Sequence, residues 1–70
     1  MNRMERGNGE ALLRYLDGDF QVIRPGAYVM CAQTGAEIPL QELKYWSVAR
    51  QEAYAGPAAA MARYRDTGEI

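Results

Sequence analysis

The chain has 70 residues, with eight basic and nine acidic side chains, a net charge of -1, one cysteine and no histidine. That length sustains one small domain, which buries roughly 60% of its unfolded surface. The cysteine and histidine counts exclude an internal disulfide, a self-sufficient Cys/His zinc site and a conventional Ser-His-Asp triad.

Residues 1–9, Met1 to Gly9, are polar and glycine-containing and have no apolar stretch. They are expected to form a disordered tail rather than a signal peptide, leaving residues 10–70 as a single domain. The run from Ala11 to Leu16 is apolar and helix-friendly. The Asp17-Gly18 pair after it supplies the positive φ of a tight hairpin turn, so a strand is expected instead. Phe20 to Arg24 has the aromatic and β-branched content of a second strand. Pro25-Gly26 reads as the centre of a type II turn, with proline presetting one angle and glycine taking the next. A third strand, Ala27 to Ala32, ends at Gln33-Thr34-Gly35, and a short fourth, Ala36 to Ile38, stops at Pro39. Residues 11–38 are therefore expected to form an antiparallel meander of three to four strands.

The helical segment is expected over 40–66. Pro39 to Lys44 reads as one helical turn. Ser47 is the expected N-cap of a helix over Val48 to Ala55, with Gly56 ending it. A last helix, Ala58 to Arg65, follows Pro57, closes near Thr67-Gly68 and turns Ala60, Met61 and Tyr64 to one face. The fold class is thus α+β: a small meander followed by two or three short helices. Eleven of the residues are alanine, so the larger side chains support one core and no more. Alternation leaves open which face of each strand is inside, Val29 with Cys31 or Tyr28 with Met30.

Cys31-Ala32-Gln33-Thr34-Gly35 has the outline of a zinc knuckle with threonine where a second cysteine would stand. Companion ligands are missing, and no histidine is present to activate a nucleophile, so Cys31 reads as a small buried strand residue. Asp17-Gly18-Asp19 lacks the further oxygen ligands of a calcium loop and reads as a turn. Tyr45 and Trp46, with Arg50, Gln51, Glu52 and Tyr54, are the densest set of interaction-type residues. Trp46 is also the natural core anchor. Arg50 and Tyr54, four apart on the expected helix, would share a face. Tyr45, Trp46, Arg50 and Tyr54 are therefore the candidate binding residues.

The stretch from Leu16 to Ala55 carries Asp17-Gly18-Asp19-Phe20, Arg24-Pro25-Gly26, Cys31-Ala32, Thr34-Gly35, Ile38-Pro39-Leu40, Leu43, Tyr45-Trp46-Ser47 and Arg50-Gln51-Glu52-Ala53-Tyr54. It resembles a family of small, mainly alphaproteobacterial proteins classed as a domain of unknown function. The resemblance covers over half the chain, and it implies no activity, cofactor or catalytic residue. More distantly, the strand, the Cys-x-x-x-Gly turn and the following helix resemble zinc-ribbon-like proteins, with the remaining ligands missing.

These features together lead to the expectation of a cytoplasmic, non-enzymatic interaction module that binds no cofactor or metal. Its partner would be an unidentified protein or a second copy of itself. The alternative is a single-stranded nucleic-acid binder using Arg24, Lys44, Arg50 and the tyrosines, although the scattered charge lacks a basic groove. A degenerate zinc-ribbon-like domain without metal is the third reading. No apolar run approaches the roughly 20 residues of a membrane span.

Overall fold

The computed structural model describes residues 9–68. The tail expected over residues 1–9 lies, apart from Gly9, outside the described residues. Three antiparallel strand pairs precede one helix. Strand β1 (Leu12–Leu16) pairs with β2 (Asp19–Arg24), β3 (Tyr28–Met30) with β4 (Glu37–Pro39), and β5 (Tyr45–Ser47) with β6 (Glu52–Tyr54). A 3-10 turn, Leu40–Glu42, links β4 to β5, and helix α1 spans Pro57–Thr67. The α+β class stands, but the strand and helix counts differ from those expected, and each difference has a local cause.

The meander breaks at Pro25-Gly26. Positive φ is taken by Gly18 (82°), Gly35 (78°) and Gly68 (84°), but not by Gly26, so the type II turn does not form. The chain instead passes under Ala11, so closely that a Cβ on Gly26 would sit 2.6 Å from the Ala11 Cα. Glycine is required there for backbone approach rather than for a turn. Ala11 donates its N–H to the Tyr28 carbonyl (2.7 Å), and Ala27 donates to Gly9 (2.8 Å). As a result β3 starts parallel to the residues before β1 and does not extend β2.

The helix expected over Val48 to Ala55 is absent. Ser47 does accept the Arg50 N–H on its Oγ at 3.0 Å, which is the bond an N-cap makes. Gln51 then adopts φ 55° and the chain reverses into β6, making a hairpin with Tyr45 opposite Tyr54 and Trp46 opposite Ala53. A capping signal marks a turn, and only continued helical geometry makes it a helix. Gly56, expected to end that helix, is the N-cap of α1, and Pro57 takes its first position.

The last helix matches expectation in extent and in its glycine cap, where Gly68 N–H bonds the Tyr64 carbonyl at 2.7 Å. Its inward face differs. Ala59 and Ala60 are buried, while Met61 and Tyr64 are exposed. The helix thus meets the strands through methyl groups and lies close to them.

Val29 and Cys31 face the core, with Met30 turned outward, which settles the open choice of strand face. Leu13 and Tyr15 of β1, Ile38, Leu43, Ala53 and Tyr54 complete the larger part of the interior, with Phe20, Leu40 and Trp46 packed at its margin. A single parallel bridge, Cys31 to Ala53, joins the second hairpin to the third.

Candidate functional site

The third hairpin holds the candidate binding residues and is the joint of the molecule. Trp46 on β5 is half-buried; its ring stacks on Tyr15 (centroids 6.0 Å apart, planes at 28°) and meets Phe20 edge-on at 5.7 Å. Its indole N–H donates to the Leu16 carbonyl at 2.9 Å. The tryptophan therefore fastens the first hairpin to the third, by area and by a directed bond.

Gln51 completes that joint from the turn. Its Oε1 accepts the Tyr15 N–H at 2.9 Å, and its Nε2 donates to the Tyr15 carbonyl at 2.8 Å and to the Val48 carbonyl at 2.8 Å. The side-chain amide thereby does for β1 what the backbone of a neighbouring strand would do. Sequence reading placed Gln51 among the interaction residues; nothing in its spacing marked it as a backbone clamp.

Glu52 gathers the charged groups. Its Oε1 accepts from Arg63 Nε (2.8 Å), Arg50 Nε (3.1 Å) and the Tyr54 hydroxyl (3.0 Å), and its Oε2 accepts from Arg63 Nη2 (3.2 Å). The hydrogen bond from Arg63 leads the causes that hold this carboxyl below its ordinary value; burial opposes it, and the bonds from Tyr54 and Arg50 add to it. Burial, then the Glu52 contact, pushes the Tyr54 phenol up.

The four candidate residues consequently have different surroundings. Tyr45 is exposed (41%), Trp46 is half-buried, and Arg50 is exposed but paired with Glu52. Tyr54 is 1% exposed and belongs to the core. Arg50 and Tyr54 do not share a solvent face, because the helix that would have aligned them is a strand turn. That expectation is corrected.

Cys31 is 3% exposed and begins a turn in which its carbonyl accepts the Gly35 N–H at 2.9 Å. Its Sγ accepts the Thr34 N–H at 3.4 Å and the Ala55 N–H at 3.2 Å, so it is tied both to its own turn and to the entry of α1. Burial pushes the thiol up, but the hydrogen bonds from Thr34, Ala55 and Gln33 outweigh it and bring the group below its ordinary value. Among the described residues no three or more His, Cys, Asp or Glu side chains gather where they could hold a metal ion.

The remaining distinctive surface lies on the first hairpin. Leu12 (44%), Val22 (51%) and Ile23 (58%) are exposed, and of β2 only Phe20 is even half-buried. Alternation alone could not reveal this, since it depends on which described side chains reach β2, and Trp46 meets it at Phe20.

Comparison with family models matches residues 22–63 to a family described as an uncharacterised protein conserved in bacteria, DUF2093. The chain belongs to the DUF2093 family. The DUF2093 match runs from the end of β2 into α1, and so includes the Cys31 turn, Trp46 and the Glu52 network, while the Trp46 partners Tyr15, Leu16 and Phe20 lie outside it. Strand β1 and the start of β2 lie outside it. No curated protein and no solved structure matches this DUF2093 chain. No helix among the described residues is long and apolar enough to cross a membrane.

Proposed function

We propose that this DUF2093 protein is a small non-enzymatic module that works by associating with another polypeptide, and that the first hairpin is its contact surface. The observation that carries this reading is the exposure of Leu12, Val22 and Ile23 on a strand pair whose outer strand has no further strand neighbour among the described residues. An exposed edge strand with β-branched side chains is a template for another chain. Both hydroxyl- and thiol-type nucleophile candidates support the non-enzymatic part. Cys31 and Ser47 are 3% and 2% exposed; the Cys31 Sγ accepts the Thr34 and Ala55 N–H groups, and the Ser47 Oγ accepts the Arg50 N–H. Of the residues expected at a binding surface, Tyr45 and Arg50 keep exposed side chains and supply a secondary contact.

Site-specific photo-crosslinking in cells tests it. A benzophenone side chain at position 22 or 23 should yield a discrete protein adduct, and one at the exposed position Glu42 should yield none. No adduct from either hairpin position overturns the reading, and an adduct removed by nuclease replaces it with nucleic-acid binding.

A further inference from the structure

We infer that the partner of this hairpin is a second copy of the same chain, docked antiparallel along the outer edge of β2 to give a four-stranded β1–β2–β2–β1 sheet about a two-fold axis. The inference rests on the interaction reading above and identifies its occupant.

The backbone phase comes first. The Tyr15 N–H and carbonyl both bond Gln51 rather than β2, so Tyr15 and Phe20 form a non-hydrogen-bonded pair. Leu13 and Val22, two residues along, have the same phase, which aims the Val22 N–H and carbonyl away from β1 at the open edge. An isologous antiparallel contact matches a residue that points outward with one that does the same. A register centred on Val22 satisfies this at its centre, where Val22 faces the second copy's Val22; beyond Ile23 the register shift reverses the phase, so the outward match does not extend to Arg24.

Charge selects the partner. The turn end of the hairpin carries Asp17 and Asp19, the opposite end of β2 carries Arg24, and all three are exposed. Among the described residues the ion pairs are those of Arg50 and Arg63 with Glu52, so Asp17, Asp19 and Arg24 are in none. An antiparallel two-fold contact sets Asp19 beside the second copy's Arg24, and does so twice. A parallel contact would set like charges together. The hairpin is thus complementary to itself in one orientation only.

Two features keep the contact short. Ile23 is the extra residue of a bulge, since Leu12 pairs with Arg24 and Leu13 with Val22. The Phe20 N–H is already taken by Asp19 Oδ1 at 2.7 Å. A ladder of this length buries less than the roughly 1,200 Å² of a stable interface, so the dimer dissociates on dilution.

The test is sedimentation velocity of the full chain over a wide concentration range, with circular dichroism to verify folding. The wild type should dimerise as concentration rises. Asp19→Arg and Arg24→Asp should each weaken self-association at least about tenfold, because each sets like charges together twice. An equimolar mixture of the two variants should recover the dimer, as each supplies the charge that the other lacks, and Val22→Lys should remain monomeric. A wild type that stays monomeric throughout overturns the second copy as occupant, while a crosslink from position 22 to another protein would leave the interaction reading standing. A dimer unaffected by the swaps places the contact elsewhere and also overturns the inference.

Discussion

Gln51 holds Tyr15 by both of its backbone polar groups, across 36 residues of sequence. The side chain occupies the place where a strand next to β1 would lie, and it does so from a turn residue at φ 55°. Non-glycine residues adopt that conformation at a cost, offset here by three hydrogen bonds from one amide. The orientation of the first hairpin on the rest of the molecule depends on this clamp and on Trp46.

Removing the clamp should therefore be costly for a surface turn. Gln51→Ala leaves the Tyr15 backbone groups without partners in a part-buried position and should destabilise by about 1–3 kcal/mol in chemical denaturation. Gln51→Glu can still accept the Tyr15 N–H, but its carboxylate opposes the Tyr15 and Val48 carbonyls. Its deficit should shrink on acidification, as the protonated acid regains a donor. Equal stability of wild type and Gln51→Ala would show that the clamp contributes nothing.

Arg50 and Tyr54 should separate in a stability measurement. Tyr54→Ala empties a fully buried position and should cost about 3–5 kcal/mol, enough to unfold a domain of this size. Tyr54→Phe keeps the packing and loses the bond to Glu52, at about 1 kcal/mol. Arg50→Ala removes a partly solvated ion pair and should cost about 1 kcal/mol or less. Thermal melts of the three variants check the order.

Acid should find Glu52. Its folded pKa lies below the unfolded one, led by the Arg63 hydrogen bond, so the stabilisation is present above the unfolded value and is lost as pH falls through the folded value. Melting temperature should decline as pH drops below the ordinary carboxylate range. In Glu52→Gln the neutral-pH stability should be lower and the acid-induced decline smaller. Parallel pH profiles for the two proteins would assign the acid sensitivity to other groups.

Cys31 should be chemically quiet despite its lowered pKa, because accessibility limits its reaction. Iodoacetamide should label it slowly in the native protein and fast in denaturant, with the native rate tracking local opening. Cys31→Ala leaves the Thr34 and Ala55 N–H groups without their acceptor and should destabilise by about 1–3 kcal/mol. Rapid native labelling would show that the turn opens readily.

Much of the fold was legible wherever a short-range rule applies. Asp17-Gly18 gave the first hairpin, Thr34-Gly35 the second turn, and Pro57 with Gly68 the ends of α1. Cys31 reads as a small buried strand residue; it is buried, and it lies just past the end of β3. Val48 to Ala55 misled because Ser47 caps a turn as readily as a helix, and its continuation depends on Gln51 finding Tyr15. Tyr54 moved from surface to core with that change. Pro25-Gly26 misled because glycine there answers the approach of Ala11, a neighbour distant in sequence.

The amino-acid sequence alone determined the α+β class and the lack of an internal disulfide or a self-contained Cys/His metal site, and it located most of the turns. Those properties follow from composition and from backbone preferences spanning a few residues. Tertiary structure decided which strands neighbour one another, which face of each is buried, and which apolar side chains stay exposed. Such choices rest on contacts between distant residues: Gly26 under Ala11, Trp46 against Tyr15 and Phe20, Gln51 on the Tyr15 backbone. Local preference is weak beside the cost of leaving buried backbone groups unpaired. Between Ser47 and Tyr54 the paired arrangement therefore prevailed, and the exposed hairpin became the surface to test.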